Sequence, residues 1–193
     1  MDEDLLLERL QARLDDNRRH RTATAVEVKS FEQATGLRLP AFYARVLTEV
    51  ANGGFGPGFG LIGLPPYVDD DLRTDLQAAY LEGRACDDVS LRTPEGILYL
   101  CSWGCGTYSY LDCTSPLGSV VTDELLFGEQ LEFTDTSPAL SVWLDDWLSG
   151  VDLETAMHSI VGYRDGTNPF TREPIKIPIR ERVGRRLDMR DRR

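Results

Sequence analysis

Histidine is nearly absent from this sequence, two residues in 193, and cysteine is scarce at four. Imidazole is the commonest general base and metal ligand near neutral pH, so the catalytic options narrow before any motif is read. His20 and His158 lie far apart and in no recognisable motif. Long apolar runs are missing as well; nothing approaches the ~20 residues a membrane-spanning helix needs. The opening Met-Asp-Glu-Asp is acidic where a secretory leader requires a basic segment. The expected setting is the cytosol, where cysteines stay reduced.

Tetrahedral zinc calls for four ligands, usually in paired Cys-x(2–4)-Cys form. Cys101 and Cys105 make one such pair, Cys113 follows alone, and no second pair exists. The expectation is packed strand cysteines and no bound metal or other cofactor. A cysteine nucleophile would need a histidine base and an orienting carboxylate, and no G-x-S-x-G is present. Gly53-Gly54-Phe55-Gly56-Pro57-Gly58 resembles a phosphate loop only superficially. It has no Lys-Ser/Thr and precedes a strand where such a loop should precede a helix. Carboxylate pairs are plentiful (Asp69 to Asp71, Asp87-Asp88, Asp145-Asp146), but acidic surfaces carry them as readily as hydrolases do. No catalytic residue is assigned, and the expectation is a protein that is not an enzyme.

What the chain has in excess is acid, with a formal net charge of −11. That disfavours nucleic-acid phosphates and anionic bilayers as partners and favours a basic protein. The charge is uneven. Arg180 to Arg193 contributes a local +4, so the other residues carry −15 between them.

Leu6, Leu7, Leu10 and Leu14 form a helical stripe that docks on the main domain or on a second subunit. Thr24 and Glu27 have capping-box spacing ahead of a helix through Phe31 and Ala34, which Gly36 can end. Pro40 suits the first turn of the next helix. There Phe42, Tyr43, Val46, Leu47 and Val50 share one face, and Asn52-Gly53-Gly54 stops it with a left-handed cap. Phe59, Leu61, Ile62 and Leu64 read as a strand, Pro65-Pro66 as its extended exit, and Leu72, Leu76, Ala79 and Tyr80 as a helix with acidic residues at its start. Ile97–Leu100, Thr107–Asp112 and Ser119–Thr122 read as successive strands, with a turn at Ser102–Gly106. Leu140, Trp143, Leu144, Trp147, Leu148 and Val151 keep the clearest helical spacing, with Thr136 or Ser137 as cap and Asp145 and Asp146 on the solvated side. Leu153 to Val161 suggests a further short helix, and Lys176 to Ile179 an edge strand.

Gly36-Leu37-Arg38-Leu39-Pro40, a helix, Asn52-Gly53-Gly54 and then an aromatic-aliphatic strand resemble the Smi/Knr-type domain of the SUKH superfamily. The pattern, with Gly36, Leu39, Pro40, Asn52, Gly53 and Gly54 as its structural residues, extends over about Thr24 to Val151. The strand-like and helical segments together give the expectation of an α+β fold, an antiparallel or mixed sheet of about four to six strands with helices packed mainly on one side, and the resemblance agrees with it. Residues 1–23 form an N-terminal amphipathic helix and linker, 24–161 the Smi/Knr-type domain, and 162–193 a proline-containing, arginine-ended extension. The resemblance implies binding: bacterial members look like immunity proteins that neutralise polymorphic or contact-dependent toxins, and fungal members like regulatory scaffolds of cell-wall synthesis. The leading expectation is an immunity protein that binds a cognate toxin stoichiometrically, the toxin being a basic protein such as a nuclease. A regulatory scaffold is the alternative, and a cysteine- or carboxylate-dependent hydrolase the competing enzyme reading. Candidate protein-binding residues are Asp69, Asp70, Asp71, Asp87 and Asp88, in loops and at a helix start, and Trp103, an aromatic in a glycine-flanked turn. The N-terminal helix is a candidate homo-oligomer contact.

Overall fold

The computed structural model describes residues 2–14, 21–67, 73–87, 92–104, 106–124, 138–153, 160–167 and 174–180. These form an α+β fold. In chain order the elements are α1 (Glu3–Arg13), α2 (Ala25–Thr35), α3 (Ala41–Arg45) running into a π-helical turn (Val46–Val50), α4 (Leu76–Arg84), β1 (Ile97–Gly104), β2 (Thr107–Asp112), β3 (Ser119–Glu124), α5 (Leu140–Leu148), β4 (Ile160–Thr167) and β5 (Pro174–Arg180).

The first helices start where side chains supply their caps. Asp2 Oδ1 accepts the N–H groups of Asp4 and Leu5, opening α1. Leu6, Leu7 and Leu10 are buried in the chain's own core, and Arg9 pairs with Asp145 of α5. With the stripe covered within the chain, only Leu5 remains as a large exposed apolar residue of α1. In α2 the capping box is complete: Glu27 N donates to Thr24 Oγ1 at 3.2 Å and Thr24 N to Glu27 Oε2 at 2.8 Å. The fork of Arg21, at 2.6 and 2.9 Å, and then the Thr24 N–H hold the Glu27 carboxyl down at about 2. Gly36 at φ 73° ends the helix. Phe31 is buried, but Ala34, expected beside it, is exposed.

Phe42, Tyr43, Val46, Leu47 and Val50 are all buried. Their helix nevertheless departs from the expectation at both ends. Pro40 is the residue before the first turn, with φ −52° and ψ 136°, and its carbonyl accepts from Ala44 N at 3.0 Å. The second half widens into a π turn closed by Ala51 N donating to Val46 O at 3.2 Å. A neighbouring strand of chain accounts for the widening, because Ala23 N takes Leu47 O at 2.8 Å and Arg21 O accepts Asn52 N at 2.9 Å. Thr48 Oγ1 also bonds back to Ala44 O at 2.8 Å, a contact that loosens helices.

The main sheet is an antiparallel meander in the order β1-β2-β3, three strands where four to six were expected. Phe59–Ile62, read as a strand, instead lies along the outer edge of β1 and forms only an isolated bridge, Leu61 to Cys101. Phe59 N donates to Ser102 O at 2.9 Å and Ile62 N to Leu100 O at 3.0 Å. Pro65-Pro66 turns the chain where an extended exit was expected, with Tyr67 N returning to Leu64 O at 3.0 Å. Leu98, Leu100, Leu111 and Val120 join apolar residues from all five helices in one core. Ile97 and Tyr110 pack with Tyr99 and Tyr108 in a second, smaller cluster.

Two further helix starts differ from the expectation. α4 begins at Leu76, capped by Asp75 Oδ1, which accepts Gln77 N at 2.8 Å and Ala78 N at 2.9 Å. That start lies beyond the aspartates proposed to complement it. α5 has no side-chain cap; Leu140 N donates instead to Gly118 O at 2.8 Å, so the turn before β3 does the capping. Thr136 and Ser137 lie outside the described residues. Ile160 and Val161, read as helix, begin β4, and Lys176–Ile179 falls in β5, which pairs with β4 in a separate two-stranded sheet and does not extend the main one.

Candidate functional site

The glycine-rich loop after the π turn is tied down at its base. Asn52, 2% exposed, does not adopt the left-handed conformation; its side chain instead behaves as a strand residue. Nδ2 donates to Leu64 O and Oδ1 accepts Leu64 N, both at 2.8 Å. Gly53, at φ 84°, lies so close to Gly63 that a Cβ would sit 2.6 Å from Gly63 N. Gly54 N then donates to Leu61 O at 2.8 Å and Leu61 N to Phe55 O at 2.7 Å. At the tip, a Cβ on Gly58 would be 2.3 Å from Ser102 O, so only glycine fits where the loop presses on β1. Phe59, next in sequence, is left 59% exposed with its ring against Gly104.

Trp103 lies in β1, not in a turn, and is half-buried. Its Nε1 donates to Ser109 Oγ at 2.9 Å, and its ring meets Trp143 edge-on, with centroids 6.4 Å apart. It is therefore a fixed wall rather than a projecting anchor. One turn beyond Trp143, the expected buried stripe runs out: Trp147 is half-buried and Val151 is 41% exposed. The loop, β1 and the end of α5 enclose a concavity of about 270 Å³, lined by Gly56–Phe59, Trp103, Trp147, Val151, Asp152 and Leu153. Its lining consists of aromatic side chains and glycine backbone, with one carboxylate residue.

Of the candidate binding residues that are described, Trp103 lines this concavity. Asp87 is exposed in the bend after α4 and is not part of the lining. Asp69, Asp70, Asp71 and Asp88 lie outside the described residues. Leu39 and Pro40 are buried; Leu39 N donates to Glu32 Oε1 at 3.0 Å, and the Pro40 ring lies against Gly118. The sequence pattern reads Phe59, Trp147 and Val151 as apolar packing residues, and the glycines around Phe59 are the signal that it has little to pack on.

Asp145, expected to be merely solvated, pairs with Arg9. Cys101 is fully buried, and burial pushes its thiol up to about 12; burial does the same at Cys113. At both positions burial disfavours the charged thiolate. Cys105, His20 and His158 lie outside the described residues. Among the described residues no helix is long and apolar enough to cross a membrane. No family model, curated protein or solved structure matches the chain.

Proposed function

We propose that this chain acts by stoichiometric protein–protein binding, as an immunity protein of the Smi/Knr type that neutralises a cognate basic toxin. The observation that carries the reading is the partly exposed aromatic concavity on a chain of net charge −11. Binding energy at protein interfaces concentrates in aromatic clusters with pockets, while net charge of the opposite sign accelerates encounter. The acidic segments Asp69–Asp71 and Asp87–Asp88 would steer association, and the concavity would hold the bound partner.

The test is co-expression and purification with the product of the neighbouring gene, followed by binding kinetics at low and high salt. The on-rate should fall as salt rises. Asp87→Lys should slow association, and Phe59→Ala should accelerate dissociation, because an anchor acts mainly on the off-rate. Both variants should keep the wild-type melting temperature. Failure to bind any adjacent gene product would sink the immunity assignment and promote the scaffold reading.

A further inference from the structure

The concavity has three aromatic walls, Phe59, Trp103 and Trp147, with Asp152 in the same lining. Its volume of about 270 Å³ falls below the ~300–1,000 Å³ usual for small-molecule sites. It suits one long side chain better than a free metabolite. Aromatic faces carry negative potential and attract cations. A chain of net charge −11 adds to that field at long range. An aliphatic knob would gain contact area from these walls and nothing from their charge.

We propose that the concavity receives an arginine side chain displayed by the partner protein, its guanidinium held among the three aromatic rings and its stem along Val151. Arginine is favoured over lysine because a guanidinium is planar, stacks on aromatic rings and gives up water more readily than an ammonium. Part of the receiving surface is preorganised. Trp103 is fixed by Ser109 and by Trp143, and the loop backbone is pinned by Gly58 against Ser102, so that wall and the loop need little ordering on binding. The inference rests on the concavity being a protein-binding site, but the probes below contain no toxin, so their result is independent of whether a toxin is found.

The experiment titrates the full-length protein with N-acetyl-arginine amide, N-acetyl-lysine amide and N-acetyl-norleucine amide. Indole fluorescence and the NMR shifts of Gly58, Phe59 and the Trp103 indole N–H report binding. The arginine probe should saturate and bind about tenfold more tightly than the norleucine probe, a ratio within reach of a partly desolvated cation–π contact. It should also bind several-fold more tightly than the lysine probe and weaken as salt rises. Trp147→Leu should abolish the response with the fold retained. Should that variant unfold, Phe59→Leu, at an exposed position, repeats the test. Norleucine or lysine binding as tightly as arginine, shifts that survive both substitutions, or no response from any probe would overturn the proposal.

Discussion

Replacing Asn52 tests the structural base of the site most directly. Its carboxamide makes two hydrogen bonds of 2.8 Å to the N–H and carbonyl of Leu64, a residue with no exposure. Asn52→Ala deletes both partners and leaves the buried N–H and carbonyl of Leu64 unpaired. Each buried group left unpaired costs ~1–3 kcal/mol, so the variant should lose roughly 2–6 kcal/mol, a large share of the ~5–15 kcal/mol of a typical domain. Urea unfolding followed by circular dichroism would measure it, with the slope m unchanged from wild type. Asn52→Asp supplies the control. An ionised carboxylate still accepts Leu64 N but faces Leu64 O without a proton, and burial raises its pKa. A raised folded-state pKa means that the stabilisation is present below the unfolded value of about 3.9 and is lost as pH rises through the folded one. Relative to wild type, Asn52→Asp should therefore regain stability between pH 7 and pH 4, whereas the Asn52→Ala deficit should not narrow. An alanine variant within 1 kcal/mol of wild type, or an aspartate variant equal to wild type at pH 7, would refute the clamp.

Other expectations follow from the same packing. Trp143→Ala should cost about 3–5 kcal/mol, because Trp143 is 5% exposed; Trp147→Ala should cost clearly less, and equal losses in thermal or urea melts would show that the stripe is buried to its end. Gly36 and Gly53 have similar positive φ, but a Cβ on Gly36 meets nothing while one on Gly53 strikes Gly63. Gly36→Ala should thus lose only the left-handed strain, ~1–2 kcal/mol, and Gly53→Ala measurably more, with Gly53→Asn no better because the clash begins at Cβ. Glu27 sits at about 2 through Arg21 and Thr24. Its stabilisation is present above the unfolded carboxyl value of about 4.3 and lost as pH falls toward 2, so Glu27→Gln should flatten the acid limb of a stability–pH curve. Cys101 and Cys113 should resist alkylation at pH 8 in the native protein and react on unfolding, as mass spectrometry would show; rapid native labelling of Cys101 would contradict its burial.

Local chemistry was legible in the sequence. Thr24 and Glu27 reach each other because three residues make one helical turn, Gly36 ends α2 because it alone pays nothing for positive φ, and the limits of β2 follow from its alternation. The α+β class and the apolar face from Phe42 to Val50 came from periodicity, which records what a segment must bury. Periodicity does not record where the covering surface stops. Trp143 and Trp147 share one stripe in sequence, and only the packing of α5 against Trp103 and the core buries the first and leaves the second beside a concavity. Asn52 is a helix stop by composition, but Leu64, twelve residues on, makes it a clamp. The π turn depends on Arg21 and Ala23 claiming hydrogen bonds at its side, and α1 joins the core because the body leaves a surface for its leucines. Caps and turns are satisfied within a few residues and are written locally; burial, edge contacts and the concavity are set by distant segments whose meeting only the tertiary structure decides.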